Sequence, residues 1–257
     1  MTQRFCIVFS FFVCLLLLSV CKEDKNSAKK TKDTVITVVT SADYPPFEYY
    51  INSEMVGFEI DLMKAIAKEL KRDVVFQDVP FESIIGSLQS ARADLAISGL
   101  SATEDRKKFV DFSAHYNESK TVILTDDSSI KTIHDLKGKM IGVQMGTTYE
   151  ANLKEWQQKV EKLQIQSLSK VPDLIQNFKA KRFVGIMLGI GEAKAILEQI
   201  KGLRIVDVPD TEVFYAIAFP KGSPLLTSVN TAIEKLKANG TMKTLQDKWL
   251  KGSADAA

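Results

Sequence analysis

Hydrophobic positions along the chain change period again and again, from two to about four and back. From Thr34 the run TVITVV alternates apolar and polar over β-branched residues, which predicts a strand ending in Thr40-Ser41-Ala42-Asp43. Tyr44-Pro45-Pro46-Phe47-Glu48 follows, where two prolines exclude a helix and stiffen a loop. Tyr44 and Phe47 are then held at a strand end, either as the wall of a site or as aromatics of a turn packed on the core. After Gly57, apolar residues recur every fourth position at Phe58, Leu62, Ile66 and Leu70, a helix with one buried face. Val74 to Phe76 reads as a strand, Phe81 to Ala91 as a helix with Ile84, Ile85 and Leu88 inward, and Asp94 to Gly99 as a third strand.

The second half repeats this alternation. Strands are predicted at 121–125, 139–144, 184–188, 203–206 and 214–219, and helices at 172–181, 192–200, 224–238 and 241–250. The helix at 224–238 carries Leu225, Val229, Ile233 and Leu236 on one face and stops at Asn239-Gly240, a good C-cap. Strands separated by helices imply βαβ units and parallel sheets. The same α/β logic occurs twice without a repeat of fixed period, which indicates two similar lobes. In such sheets ligands sit beyond the carboxyl ends of the strands, where Asp43, Tyr44, Phe81, Ser98 and Ser101 gather.

Two strand-to-helix corners carry candidate chemistry. In DLAISGLSATEDR, Asp94 to Arg106, an apolar strand runs through small residues into Thr103, a natural N-cap followed by Glu104 and Asp105. Those acids suit the positive end of a helix dipole, whereas Arg106 in the same turn does not. A guanidinium beside free hydroxyls and backbone N–H groups is a receptor for a carboxylate, gripped by two parallel hydrogen bonds. The alternative is a solvated surface arginine, or one paired with Asp105 or Asp111. Further on, Thr147 with Glu150 forms a capping box after Met145-Gly146, a second corner of the same kind, or an ordinary capped helix.

Composition narrows the picture. With 257 residues, 45% hydrophobic and 26% charged, the chain is globular, of one or two domains. A net charge of +2 and the lack of a basic, aromatic-interleaved cluster in the body exclude nucleic acid as a partner. Two histidines and no Cys or His at ligand spacing argue against a metal, and nothing calls for a cofactor. All three cysteines, Cys6, Cys14 and Cys21, lie in the first 21 residues. There Arg4 precedes an apolar run from Phe5 to Val20, read as a signal peptide over residues 1–20, followed by a polar flexible tether over 21–33. Leu18-Ser19-Val20-Cys21 resembles a bacterial lipoprotein cleavage box, in which Cys21 would be the lipid attachment site, although Val20 departs from its preference for Gly or Ala. An uncleaved anchor or ordinary cleavage near Cys21 remains open, and every version places the body outside the cytoplasmic membrane.

YPPFEYY, VGFEIDLMKAIAKEL, DLAISGLSATEDRKKFVDFS, DLKGKMIGVQMGTT, AIAFPKGS and LKANGTMKTLQDKW occur in the order found in the polar amino acid binding proteins of ABC transporters. Residues 34 to 250 thus resemble family 3 of the periplasmic solute-binding proteins. The resemblance implies the type II Venus flytrap fold, two three-layer α/β/α lobes joined by two hinge strands. Lobe 1 would comprise 34–118 and 214–257 and lobe 2 119–213, with hinges near Ser119 to Leu124 and Glu212 to Ala216. It implies a monomeric, extracytoplasmic, lipid-anchored protein that binds an amino acid and delivers it to an ABC permease without chemistry. Carried over by position, Arg106 would hold the ligand's α-carboxylate with Ser101 and the N–H of Thr148, and Tyr44 and Phe81 would sandwich its side chain. Ser98 and Gly99 would offer backbone groups, Thr147 a hydroxyl, and Gln144 would reach the side-chain end. With Asp43, Glu48 and Gln144 there, the lean is toward a basic or polar amino acid such as arginine or glutamine. The family's ammonium-binding aspartate is replaced by Gly189, and an earlier structural aspartate by Val184, leaving Asp43 or Glu192 as possible substitutes. The rival expectation is a dehydratase of a cyclic carboxylate on the same scaffold, with Glu192 as its acid.

Overall fold

The β-branched alternation at the start of the body does form a strand, β1 (Val35–Thr40), with Ile36 and Val38 wholly buried. The computed structural model describes residues 34–250; the expected signal segment, the tether and Cys21 lie outside the described residues. A short hairpin, β2 (Tyr49–Ile51) and β3 (Glu54–Val56), precedes α1 (Phe58–Glu69), whose every-fourth apolar positions Phe58, Leu62 and Ile66 are buried. Then come β4 (Asp73–Asp78), a 3-10 turn at Phe81–Ser83 leading into α2 (Ile84–Gln89), β5 (Leu95–Ala96), α3 (Glu104–Lys107) and β6 (Val110–Phe112). The next stretch holds β7 (Asn117–Thr125), β8 (Met140–Gln144), α4 (Thr148–Gln157), β9 (Gln164–Leu168) and α5 (Val171–Lys179). The chain continues with β10 (Gly185–Gly189), α6 (Ile190–Gln199), β11 (Arg204–Tyr215), β12 (Ala218–Pro220), α7 (Leu225–Ala238) and α8 (Thr241–Trp249).

The strands form two five-stranded sheets, ordered β4-β1-β5-β12-β6 and β11-β7-β10-β8-β9. Each has apolar clusters on both faces. Ile36, Leu62 and Ile233 lie in one cluster of the first sheet and Val39, Ile84 and Leu88 in the other. Val143 with Leu153, and Ile186 with Phe178, mark the two faces of the second. Each sheet is therefore the middle of three layers.

The sheets are mixed, which corrects the expectation of parallel ones. β1–β5, β8–β9 and β8–β10 run parallel, whereas β12 runs antiparallel to β5 and β6, and β7 to β10 and β11. The cause is the path of the chain, which leaves the first sheet after β6 and returns to it at β12, so the returning strand enters from the opposite end. The stretch predicted as one strand at 214–219 is divided at this crossing, between Tyr215 and Ala218. The two crossing segments bond to each other, Tyr116 N–H to the Tyr215 carbonyl at 3.0 Å and Ser113 N–H to that of Ile217 at 2.9 Å.

Candidate functional site

The carboxyl ends of four strands converge on one cleft between the sheets. β1 delivers Ser41 to Tyr44, β5 leads to Ser98 and Gly99, β8 ends at Gln144 ahead of Thr147, and β10 ends at Gly189. Tyr44, Phe81, Ser98, Gly99, Arg106, Gln144, Thr147, Thr148 and Tyr149 line a cavity there of about 10 Å³, room for about one water. A molecule larger than water enters only if the walls part.

Thr103 is the N-cap expected, its hydroxyl accepting the Arg106 N–H at 3.2 Å, but α3 is a single turn because β6 begins at Val110. Among the described residues Arg106 forms no ion pair. Asp105 pairs with Lys108 at 2.6 Å and Asp111 with Lys221 at 2.8 Å, so neither acid is its partner. Its Nη1 donates to the Ser101 carbonyl and its Nη2 to that of Gly146, each at 3.0 Å, and its guanidinium lies 5.5 Å from the Phe81 ring centroid. Burial lowers its pKa from the ordinary 12.5 to about 10, so it remains a cation at neutral pH. Three of its five N–H groups stay available for an anion. At the second corner Thr147 caps α4 through the Glu150 N–H at 3.2 Å, but the reciprocal half of the expected capping box is absent. The Glu150 carboxylate accepts the Gly146 N–H instead, at 2.8 Å, closing the glycine turn rather than the cap.

Beneath Ser98 and Gly99 lie two carboxyls that do not reach solvent. Glu59 accepts the Gly99 N–H at 2.9 Å and the Tyr116 hydroxyl at 2.6 Å. Glu48 accepts the Ser98 hydroxyl at 2.8 Å, which itself accepts the Ser41 N–H at 3.0 Å. Burial, and then the neighbouring Glu59, push Glu48 well above the ordinary carboxylate range, so it carries the proton of the pair. This pair fixes the backbone that faces the cavity. It also removes Glu48 from the side-chain end of the site, where the sequence reading had placed it.

Asp43 is not on the cavity wall. It accepts the Ser41 hydroxyl at 3.0 Å, the Val171 N–H that opens α5 at 3.0 Å, and the Gln144 amide at 3.4 Å. Ser101 contributes its carbonyl to Arg106 and borders a neighbouring cleft with Thr103 and Thr148. Thr147 donates its hydroxyl to the Gln144 carbonyl at 2.7 Å.

The sequence reading missed a cluster of tyrosines. The hydroxyls of Tyr44 and Tyr149 meet at 3.1 Å and those of Tyr149 and Tyr215 at 3.0 Å, and the Gly189 N–H donates to Tyr44 at 3.2 Å. A Cβ on Gly189 would stand only 2.4 Å from the Tyr44 oxygen and 2.8 Å from that of Tyr149. Glycine at this position is what admits the cluster. Glu192, on the first turn of α6, is wholly buried, and neither of its carboxyl oxygens has a hydrogen-bond partner. Burial, then the charge of Asp43, drive its pKa well up, while the Tyr44 hydroxyl approaches closely enough to offset part of that.

Two sheets thus flank a cleft whose lining includes Arg106, a cation without an ion pair among the described residues. The model of the bacterial extracellular solute-binding proteins, family 3, matches residues 36–252. The chain belongs to that family. This family 3 protein is 34% identical over 251 residues to the arginine-binding extracellular protein ArtP of Bacillus subtilis (strain 168), covering 96% of this chain and 95% of ArtP. Among solved structures, an ancestral arginine-binding protein bound to arginine matches with a TM-score of 0.79 and 37% identity, over 84% of this chain and 97% of that one. An ancestral amino acid-binding protein described as a precursor of cyclohexadienyl dehydratase also matches with a TM-score of 0.79, at 32% identity over 89% and 99% of the two chains.

Proposed function

We propose that this family 3 protein captures an amino acid, arginine first, and presents it to an ABC permease, acting as a monomer tethered outside the cytoplasmic membrane through a lipid on Cys21. The observation that carries the reading is Arg106, a half-buried cation with no carboxylate partner among the described residues, set between carbonyls of Ser101 and Gly146. The ligand's α-carboxylate completes it, with the Thr148 N–H and the Ser101 hydroxyl as further donors, while Tyr44 and Phe81 flank the side chain and Ser98, Gly99 and Thr147 supply polar groups. Arginine is preferred because relatives over nearly the whole chain are named for it. Gln144 then faces the side-chain end, with Asp43 behind it holding its amide.

Binding closes lobe 1 (34–118 and 214–257) on lobe 2 (119–213) by bending where β7 and β11 lie side by side. Contacts such as Ser169 to Glu82 at 2.6 Å, Lys170 to Asp78 at 3.2 Å and Arg106 to Gly146 span the two lobes and favour closure. The protein performs no chemistry on its ligand. A thermal-shift screen of amino acids tests this, since a ligand at 100 times its Kd adds about 2.7 kcal/mol of stability. L-arginine should raise the Tm by several degrees, and a screen in which no amino acid does so refutes the reading.

A second reading is favoured by one observation, the wholly buried Glu192 with both carboxyl oxygens unpartnered and its pKa driven up by burial, a candidate for the acid of a dehydratase acting on a cyclic carboxylate. Cyclic carboxylates in the same screen, with product analysis, decide for it if they are turned over.

A further inference from the structure

An α-amino acid whose carboxylate sits on Arg106 brings its ammonium within a few ångströms of that contact, into the cleft. Burying an ammonium needs a counter-charge or several hydrogen-bond acceptors. Asp43 is engaged by Ser41, Val171 and Gln144, and its bond to the Val171 N–H ties it to the start of α5. Glu150 is engaged by Gly146, Ser167 and Lys154, and Glu82 by Ser169. Glu48 and Glu59 are committed below the Ser98–Gly99 turn. Glu192 differs from all of these, being wholly buried with both carboxyl oxygens unpartnered.

Its surroundings place it at the cleft. It lies one turn beyond Gly189, the N-cap of α6, whose N–H bonds the hydroxyl of the cavity residue Tyr44 at 3.2 Å. The Tyr44 and Tyr149 hydroxyls, which meet at 3.1 Å, join that turn to the lining of the cavity. Hydroxyls can swing from one another toward a cation, and the buried carboxyl can ionise once a positive charge arrives.

Resting on the reading that an amino acid binds through Arg106, we infer that Glu192, with the Tyr44 hydroxyl, forms the subsite that receives the ligand's ammonium group. Glu192 thus selects α-amino acids over carboxylates that lack the amine. Asp43 serves instead to hold the start of α5 against the other side of the cleft.

The test compares L-arginine with its des-amino analogue, 5-guanidinopentanoate, by calorimetry on wild type, Glu192→Gln and Glu192→Asp, with circular dichroism confirming that each variant folds. The wild type should prefer arginine at least tenfold. Glu192→Gln should lose ten- to hundredfold affinity for arginine, the range for one charge-assisted contact, while binding the analogue within threefold of wild type. Glu192→Asp, which keeps the charge, should retain part of the preference. Equal losses for both ligands would make Glu192 merely structural and overturn the inference, as would an unchanged preference in Glu192→Gln. Should the wild type bind the analogue as tightly as arginine, the carboxylate site stands and the ammonium subsite falls. Should it bind neither, the choice of arginine as ligand falls and takes the subsite with it.

Discussion

Gly189→Ala isolates the tyrosine cluster from all other features of the cleft. The backbone at Gly189 has φ −76° and ψ 151°, an ordinary extended conformation, so alanine meets no backbone strain. Reducing the freedom of the unfolded chain should then contribute about 0.4–1 kcal/mol of stability. Against this, the new methyl lies 2.4 Å from the Tyr44 oxygen, about 1 Å inside ordinary contact, and is also too near the hydroxyls of Tyr149 and Tyr215. All three rings are buried, so none can simply turn to solvent. Forcing a methyl into packed surroundings costs about 1–3 kcal/mol. The net expectation is a loss of about 1–2 kcal/mol, a fall in Tm of about 2–8 °C at the usual slope for a chain of this size. Differential scanning fluorimetry without added ligand measures it, and chemical denaturation confirms the free energy. A rise in Tm would refute the reasoning, because it would mean that the hydroxyls are not held against Gly189. Gly189→Asp carries the same clash with a larger, charged group close to Glu192, so it should weaken rather than strengthen amino acid binding.

Other expectations test separate parts of the account. Glu192→Met removes a buried group that has no partner, so without ligand it should be more stable by about 1–3 kcal/mol in urea melts while arginine binding is weakened; a destabilised variant with normal affinity would contradict this. Glu48 and Glu192 hold their protons in the folded chain well above the ordinary carboxylate range, whereas the unfolded chain releases them near that range. Stability should therefore fall as pH rises above the ordinary carboxylate range toward the raised folded-state values, with a shallower slope in Glu192→Met, and a flat profile in both proteins would count against the buried acids. Cys21 should carry lipid at the mature N-terminus, so mass spectrometry showing an unmodified Cys21 or cleavage elsewhere would remove the anchor.

Much of this architecture was legible because local patterns and tertiary demands agree. The β-branched alternation from Thr34, the fourfold spacing of Phe58, Leu62 and Ile66, and the caps at Thr103 and Thr147 all reappear where periodicity and capping put them. Arg106 was conspicuous because a cation at a helix start conflicts with the dipole, and such local conflicts concentrate at functional sites. The tyrosine cluster was not legible, since Tyr44, Tyr149 and Tyr215 come from three distant segments and each alone reads as an ordinary core aromatic. Tyr215 also lay inside a stretch predicted as one strand, which hid the crossing that turns its hydroxyl toward Tyr149. The commitment of Asp43 to the Val171 N–H joins residues 128 apart, and no period in the sequence reports such a bond.

The central claim is that Arg106 holds the ligand's carboxylate, and isothermal titration of L-arginine into wild type and Arg106→Ala tests it most directly. Both proteins should show the same circular dichroism, because Arg106 lies on a one-turn helix that contributes no buried residue to the core. Wild type should bind one equivalent, and Arg106→Ala should bind at least a hundredfold more weakly, consistent with losing a paired, charge-assisted contact worth about 3 kcal/mol or more. Affinity within threefold of wild type in a folded Arg106→Ala would contradict the account.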